Sequence, residues 1–345
     1  MSSGSGLRLA VVGATGAVGE VALELMSERW GRSATVHALA SEHSVGREVG
    51  FGRQSLVVDD LATFDFSGVD FALFCAGSKV SIEHVPRAVA AGAWVVDNSA
   101  AFRNDPNIPL VVPEVNPDAL TDFRSGIVAN PNCSTIQMVM ALAPIHRLFG
   151  LQEIVVSTYQ AVSGAGKAAM EELGRQAVDR FNFRQPKPEV FNQPIGFNVI
   201  PMIDALNADG FSKEEMKMVD ETRRLLASSD LAIHATAVRV PVFTGHAESI
   251  YVRTDQPIDV DRLHAAWAEA PGVRVTDAQD PATPLTHGAN QDAVWVSRVR
   301  PCLDHDHGLM LWVVADNLRK GAALNAVQII EALQDARRPA TEPTH

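Results

Sequence analysis

The sequence is poor in cysteine, in long apolar runs and in positive charge, and each shortage excludes a class of protein. Three widely spaced cysteines in 345 residues make neither a disulfide framework nor a zinc site. No apolar run approaches the roughly 18 residues of a membrane helix, and no signal-peptide pattern opens the chain. The net charge of −12 disfavours nucleic-acid binding, although local cations can still hold a small anion. We expect a soluble, cytoplasmic, metal-free protein without nucleic-acid or membrane partners.

The first part of the chain alternates predicted strands with predicted helices. Leu7–Val12 is a short apolar run typical of a buried parallel strand, a glycine loop follows, and Glu20–Met26 has helical spacing. Further strands are predicted at 35–40, 69–75, 94–97 and 126–130, with a helix at 80–91. This order predicts an α/β fold with a Rossmann-like, doubly wound parallel sheet.

From about Gln152 the pattern changes to longer strands with partial alternation of apolar and polar residues. Strands are predicted at 152–160, 235–243, 248–254, 294–300 and 308–315, and helices at 165–180, 213–227 and 260–268. We expect an α+β domain with a largely antiparallel sheet and helices on one face. A final helix is predicted at 321–333, and residues 337–345 are expected to form a frayed tail.

A glycine loop follows the first predicted strand. Gly13, Gly16 and Gly19 let the backbone turn tightly and approach a pyrophosphate, whose charge the next helix N-terminus stabilises. The same spacing also occurs in plain tight turns. Its place between an N-terminal strand and a helix favours a nucleotide site.

The end of the second predicted strand bears on the choice of nucleotide. A ribose-binding acid typical of NAD sites is expected at the strand tip, but Glu42 lies two residues beyond Ala40. Ser41, His43 and Ser44 are better suited to a 2′-phosphate. This segment therefore favours NADP over NAD.

One cysteine is predicted at the start of a helix. Asn132 is a typical capping residue, and Ile136–Leu142 carries a helical apolar stripe. Cys133 then lies where the helix dipole favours a thiolate, which predicts a nucleophile. The alternative, a small buried apolar residue, is the interpretation for Cys75 and Cys302.

A series of motifs over residues 7–330 resembles the aspartate-β-semialdehyde dehydrogenase family in content and order. They are the loop 13–19, Ser-Ala-Ala-Phe-Arg at 99–103, Val-Pro-Glu-Val-Asn at 112–116, Asn-Pro-Asn-Cys-Ser-Thr at 130–135, and the segments 157–166, 239–242, 245–246 and 315–323. The motif around Cys133 is the most specific. In the related N-acetyl-glutamyl-phosphate reductases, Gly rather than Asn is expected before the cysteine.

The resemblance implies a reaction. That family reduces 4-phospho-L-aspartate to L-aspartate 4-semialdehyde with NADPH, in the biosynthesis of lysine through diaminopimelate and of threonine, methionine and isoleucine. Cys133 would form a thioester with the acyl group, His246 would act as general acid and base, and Gln160 would orient the acyl group. Without the resemblance, His246 would be interpreted as a structural or surface residue.

The resemblance also assigns the charges of the substrate. Arg239 would clamp the α-carboxylate with its guanidinium fork. Glu214 would meet the ammonium group, although the neighbouring Glu215 stays open as the alternative. The implied phosphate-binding residues are Arg103, Lys217 and Asn132.

For the cofactor, the resemblance implies NADP. The residues implied at the pyrophosphate are Gly13, Thr15, Gly16, Ala17 and Val18. Ser163 and Gly164 would lie near the nicotinamide, and Asn317 near its carboxamide. Many family members carry arginine where this chain has His43, so the preference for a 2′-phosphate would be weaker here.

The resemblance further implies two domains and a homodimer. Residues 1–132 would bind NADP, completed by a C-terminal helix at about 317–345, and residues 133–316 would form the catalytic and dimerisation domain. Two alternatives remain at this point: a non-catalytic nucleotide-binding paralogue, and a reductase of another acyl phosphate. In the second case Glu214 would have no ammonium group to bind.

Overall fold

The structure is a computed structural model that describes residues 6–121 and 125–337. The strands are β1 (Leu7–Val12), β2 (Ala34–Ala40), β3 (Glu48–Phe51), β4 (Gln54–Asp60), β5 (Phe71–Phe74), β6 (Trp94–Asp97), β7 (Ile127–Ala129), β8 (Leu151–Gln160), β9 (Ala232–Arg239), β10 (His246–Thr254), β11 (Val273–Val275), β12 (Val294–Pro301) and β13 (Gly308–Ala315). The helices are α1 (Ala17–Arg29), α2 (Ser78–Ala90), α3 (Cys133–Phe149), α4 (Lys167–Phe181), α5 (Lys213–Leu225), α6 (Val260–Glu269) and α7 (Leu324–Arg337).

The chain divides into two compact units. Within the described residues, the first comprises 6–131 and 322–337, and the second comprises Asn132–Gly321. The frayed tail expected at 337–345 lies, apart from Arg337, outside the described residues. No helix in the described ranges is long and apolar enough to cross a membrane.

The first unit is built on a sheet with the strand order β3-β4-β2-β1-β5-β6-β7. β1 sends Leu9 and Val11 into a core shared with α1 and α7, and Ala10 and Val12 into a second core shared with α2. Both sheet faces are therefore buried, which explains why the strands are continuous apolar runs. The predicted doubly wound fold is confirmed.

Two strands of this sheet were missed in the sequence. β3 pairs antiparallel with β4 at the sheet edge, whereas the other pairs are parallel. β3 lies at the edge and β4 next to it, and both keep a large share of their residues exposed. Val57 on β4, for example, is 58% exposed. The apolar-run criterion therefore does not detect them.

The second unit has a sheet with the order β11-β12-β13-β10-β8-β9. The expectation of a largely antiparallel sheet holds for β12, β13, β10 and β8, but β8–β9 and β11–β12 pair in parallel. The predicted strand 235–243 is shifted and ends at Arg239, because Pro241 follows closely and cannot donate to a ladder. The long helix α3 is almost wholly buried and packs against the inner face of this sheet.

Candidate active site

Three of the predicted site residues lie at the ends of three neighbouring strands. Gln160 closes β8 and pairs with Arg239, which closes β9. β10 runs antiparallel to β8, and the pairing of Ala247 with Tyr159 continues to bring His246 opposite Gln160. All three side chains are buried. Strand pairing therefore aligns an amide, a guanidinium and an imidazole in one row.

Cys133 is the first residue of α3, and its position is fixed by the residue before it. The Asn132 side-chain oxygen accepts hydrogen bonds from the backbone N–H groups of Ser134 and Thr135 at 3.1 and 3.2 Å. This is the helix cap that the sequence predicts. The thiol thus stands at a helix N-terminus, where the backbone dipoles favour a negative charge.

Helix α5 holds the capping residue from its other side. Glu214 accepts a hydrogen bond from the Asn132 side-chain amide at 2.9 Å, and Glu221 accepts one from the Asn132 backbone at 2.6 Å. The two acids lie two helical turns apart, on one face of α5. Glu221 was missed in the sequence, although its seven-residue spacing from Glu214 was visible.

A glycine lets the chain pass close to the cysteine. A Cβ atom added at Gly321 would lie 3.0 Å from the Cβ of Cys133. Its backbone N–H donates to the Asp316 carbonyl at 2.9 Å, which holds the turn in place. A residue larger than glycine would therefore press on the cysteine. The motif containing Gly321 was noted in the sequence, but not this role.

His246 accepts a backbone hydrogen bond from the turn after β8. The N–H of Ala161 donates to Nδ1 at 3.0 Å, so the neutral ring carries its proton on Nε2. Nε2 has no hydrogen-bond partner within the described part of the chain. Burial, then the charge of Arg239, lower the pKa of His246 to about 3. The ring is therefore a neutral hydrogen-bond donor at physiological pH.

Arg239 is oriented by the same residue. Its Nη1 atom donates to the Ala161 carbonyl at 2.8 Å, and the guanidinium lies 5.9 Å from the centre of the Phe191 ring. Burial lowers the pKa of Arg239, while the charges of Glu214 and Cys133 act in the opposite direction. The guanidinium also lines a cavity of about 580 Å³, which offers room for a small ligand.

The structure separates Glu214 from Glu215. Glu214 accepts hydrogen bonds from Gln160 at 3.1 Å and from Lys217 at 3.0 Å. Burial alone would raise its pKa, but Lys217 and the neighbouring amides outweigh burial and lower the pKa to about 2. Glu215 instead accepts from the Ser212 backbone at 2.7 Å in a capping box at the start of α5. Only Glu214 belongs to the polar cluster.

Lys217 lies between two carboxylates. It pairs with Glu214 and, at 3.4 Å, with Asp204, whose backbone has a positive φ of 70°. Arg103, the other predicted phosphate cation, lies in the first unit, where its Nη2 atom donates to the Asn98 carbonyl at 2.9 Å.

Asn317, Ser163 and Gly164 gather around the strand ends. The Asn317 side chain donates to the Ser163 hydroxyl at 2.9 Å and accepts from the Gly245 backbone at 2.9 Å. A Cβ added at Gly164 would lie 3.1 Å from Nη1 of Arg239. Asn317 thus connects the turn after β8 to the residue before His246.

The glycine loop of the first unit forms a close backbone cradle. Gly13 has a φ of +82°, and a Cβ added at Gly19 would lie 2.1 Å from the Gly13 carbonyl oxygen. Only glycine fits at these positions. Thr15 and Gly16 line an adjacent cavity of about 520 Å³, while Ala17 and Val18 begin α1.

The lining of that cavity combines a residue that suits a 2′-phosphate with acids that would repel it. Ser41 lines it, but so do the acids Glu42 and Asp60. His43 is exposed and lies 3.9 Å from the Glu42 carboxylate. Ser44 donates its backbone N–H to the Ser41 carbonyl. The segment forms a short 3-10 turn directly after β2.

The fold and the site define a class, the dehydrogenases that join a Rossmann-like nucleotide-binding unit to a unit with a cysteine at a helix start. Family models support this class. "Semialdehyde dehydrogenase, NAD binding domain" matches residues 8–123, and "Semialdehyde dehydrogenase, dimerisation domain" matches residues 142–320.

Individual relatives narrow the class. The aspartate-semialdehyde dehydrogenase of Legionella pneumophila is 49% identical, over 95% of this chain and 96% of the relative. That of Bacillus subtilis is 46% identical, over 96% and 98%. A crystal structure of aspartate semialdehyde dehydrogenase II from Vibrio cholerae, complexed with ASA, has 45% identity and a TM-score of 0.94, covering 96% of this chain and 99% of that one. The chain belongs to the aspartate-semialdehyde dehydrogenase family.

Proposed function

We propose that the protein catalyses the reversible, NADPH-dependent conversion of 4-phospho-L-aspartate to L-aspartate 4-semialdehyde and phosphate, within amino-acid biosynthesis. Membership of the family supports the reaction class. The observation that carries the proposal is the row of Gln160, Arg239 and His246 in the same unit as a cysteine at a capped helix start. This set provides a nucleophile, a hydrogen-bond donor and a cation for one acidic substrate.

In the first step Cys133 acts as nucleophile. Its thiolate forms a bond to the acyl carbon, the bond from that carbon to the phosphate oxygen breaks, and phosphate leaves with the electron pair. Gln160 orients the acyl group from the neighbouring strand end. The helix start favours the negative charge on sulfur before the attack and on the oxygen during it.

The second step regenerates the thiolate. When bound, the nicotinamide supplies a hydride to the acyl carbon. The carbon–sulfur bond then breaks, sulfur leaves with the electron pair, and the aldehyde is released. As its bond to the acyl carbon breaks, the leaving phosphate takes up one proton from water, whereas the hydride step needs no proton. The Nε2–H group of His246 can therefore act by donating to the developing negative charge, which suits its low pKa of about 3.

The charged side chains around Glu214 match the charges of the substrate. Arg239 lines the cavity and presents a fork to the α-carboxylate, and Glu214 is an ionised, buried partner for the ammonium group. Lys217, Asn132 and Arg103 complete the proposal as the phosphate-binding residues. Lys217 is paired with carboxylates in the structure, so phosphate binding would exchange one ion pair for another.

The first unit fits a dinucleotide. The cradle at Gly13 and Gly19 lets the backbone approach a pyrophosphate closely, and the N-terminus of α1 directly follows it. We assign the 2′-phosphate of NADP to Ser41, His43 and Ser44. Ser163, Gly164 and Asn317 are assigned to the nicotinamide end.

The preference for NADP can be tested at His43. Because Glu42 and Asp60 line the same cavity, we expect some activity with NAD as well. His43→Arg should raise the ratio of NADP to NAD use in kcat/KM, since arginine is charged at every working pH and binds phosphate bidentately. Equal use of both nucleotides in the wild type and the variant would remove this segment from the 2′-phosphate site.

The protein is also proposed to act as a homodimer in the cytoplasm. The family description of residues 142–320 as a dimerisation domain supports the dimer. The outer face of the second sheet exposes Val155 and Tyr159, which suits a contact between copies. Analytical ultracentrifugation should find two chains per particle; a monomer at micromolar concentration would contradict the proposal.

The decisive experiment uses the oxidative direction. NADPH formation from L-aspartate 4-semialdehyde should require inorganic phosphate, and Cys133→Ala should abolish it by several orders of magnitude while nucleotide binding persists. Cys302→Ala, which removes a thiol far along the chain, is the matched control and should retain activity. Activity with N-acetyl-glutamate semialdehyde alone, or turnover by Cys133→Ala, would overturn the proposal.

A further inference from the structure

A buried acid lies directly behind the site and is not used by the reaction. Glu248 is on β10, two residues after His246, so both side chains project from the same face of the strand. Glu248 is 0% exposed, and neither carboxyl oxygen has a hydrogen-bond partner among the described residues. An isolated buried carboxylate is costly, so the group requires an explanation.

The polar neighbour of this acid is Gln137. Its side-chain amide is also fully buried, and both its oxygen and its nitrogen lack partners of good geometry within the described ranges. Burial raises the pKa of Glu248 well above its ordinary value, and the contact with Gln137 offsets only part of that rise. Burial without a charged partner therefore favours the uncharged form of the Glu248 carboxyl group.

In the described part of the chain, the two strands beside β10 bring no titratable group opposite Glu248. Its partners across the sheet are Thr158 on β8 and Val313 on β13. The Thr158 hydroxyl accepts a hydrogen bond from Gln160 at 3.3 Å. The acid thus lies in a second row, one step behind the row that contains His246 and Gln160.

The distance from Cys133 to Gln137 along α3 is similar to the distance from His246 to Glu248 along β10. Gln137 follows Cys133 by four residues, which is about 6 Å along a helix. Glu248 follows His246 by two residues, which is about 7 Å along a strand. The contact between Gln137 and Glu248 therefore connects α3 to β10 one level below the reacting groups.

We propose that Glu248, as a neutral acid paired with Gln137, is a positioning residue that sets Cys133 on α3 against His246 on β10. A protonated carboxyl group has the donor that a carboxylate lacks, so acid and amide can exchange two hydrogen bonds. That pairing satisfies buried atoms on both sides and resists sliding of the helix along the strand. The consequence for turnover rests on the proposed function; the protonation state and the fixing of Cys133 do not.

The test compares two substitutions at one site. Glu248→Gln keeps the shape and a hydrogen-bond donor without a charge, and should stay close to wild type in kcat and KM. Glu248→Met fills similar volume without polar atoms. It should lower kcat about tenfold with little change in KM, because a displaced nucleophile loses rate rather than affinity. Thr276→Val removes another buried, unpartnered hydroxyl of the same unit and is the control.

A second readout does not depend on the proposed reaction. The alkylation rate of Cys133 by iodoacetamide, followed by peptide mass spectrometry with Cys302 as internal reference, should change in Glu248→Met and not in Glu248→Gln. Isotope-edited infrared spectra should show a protonated carboxyl group that disappears in both variants. The double variant Gln137→Glu/Glu248→Gln should restore kcat and alkylation relative to Glu248→Met.

Three outcomes would overturn the proposal. If Glu248→Gln were as impaired as Glu248→Met, an ionised carboxylate would be required. If Glu248→Met lowered the melting temperature but kept kcat and alkylation per folded molecule, the residue would only stabilise the fold. Infrared evidence for an ionised Glu248 at neutral pH would contradict it directly. If the wild type did not catalyse the proposed reaction, the alkylation and infrared results would still decide whether Glu248 is a neutral positioning residue.

Discussion

Neutralising Glu214 probes the electrostatics of the cluster most directly. Burial alone would raise the pKa of this carboxyl group, but Lys217 and hydrogen bonds from Asn132 and Gln160 lower it from 4.5 to about 2. That shift corresponds to about 3 kcal/mol in favour of the ionised form. Because the folded pKa lies below the unfolded one, this stabilisation is complete above pH 4.5 and is lost as the pH falls towards 2.

The measurement is urea unfolding of the wild type and Glu214→Gln at pH 7 and pH 4. Over this interval the unfolded carboxyl group takes up most of a proton and the folded one very little. The wild type should therefore lose about 1 kcal/mol more of its unfolding free energy than the variant does. If the difference in unfolding free energy between the wild type and Glu214→Gln were the same at pH 7 and pH 4, the electrostatic reasoning would be refuted.

The same variant separates the two adjacent acids in binding. Glu214→Gln should raise the KM for aspartate semialdehyde more than it lowers kcat, because it removes the partner of the substrate ammonium. Glu215→Gln is the matched control, since this residue caps α5 at Ser212. It should lower stability and leave KM unchanged. A raised KM in Glu215→Gln alone would reassign the ammonium site.

Two further substitutions test the geometry around the thiol and the guanidinium. Gly321→Ala places a Cβ 3.0 Å from that of Cys133 and should reduce kcat about tenfold, because it displaces the nucleophile. Gly174→Ala is the control, since a Cβ there has no atom within 4 Å, and should leave kcat unchanged. Equal kcat values in the two variants would show that the turn at Gly321 can move without displacing Cys133. Arg239→Lys should raise the substrate KM in steady-state assays, because one ammonium cannot replace a two-pronged donor; an unchanged KM would remove Arg239 from the carboxylate site.

Local patterns predicted the fold where a strand or helix is defined by its own residues. β1, β6 and β13 have the predicted bounds because they are apolar runs closed by polar or glycine-rich segments. β3, β4 and β11 were missed, because these strands lie at or next to a sheet edge and are partly exposed. The parallel pairing of β8 with β9 was also not predicted, since pairing depends on the path of the chain between strands.

The site residues likewise fall into those that a local pattern predicts and those that depend on strand pairing. Asn132 and Cys133 were recognisable from a turn, a cap and an apolar stripe in succession. His246 was not recognisable from its own neighbourhood, because only the register between β8 and β10 brings it beside Gln160. Glu248 gave no signal for the same reason.

The ambiguity between the two acids of α5 had a local answer. Ser212 and Glu215 have the spacing of a capping box, a serine followed three residues later by glutamate before a helix. The structure contains that box. Since consecutive helical residues point about 100° apart, a Glu215 committed to the cap leaves Glu214 on another face. The capping signature therefore assigns the polar cluster to Glu214.

The backbone of a single residue orients the two side chains on which the proposed chemistry depends. The N–H of Ala161 donates to His246 and its carbonyl accepts from Arg239, so both are held from the turn that follows Gln160. An imidazolium would carry a proton on Nδ1 and oppose the Ala161 N–H, which adds to burial and Arg239 in keeping the ring neutral. Because Ala161 is 0% exposed, a larger side chain there would have to displace its neighbours and with them both hydrogen bonds. The backbone of residue 161 therefore carries the function, and its small side chain keeps that backbone in place at the end of strand β8.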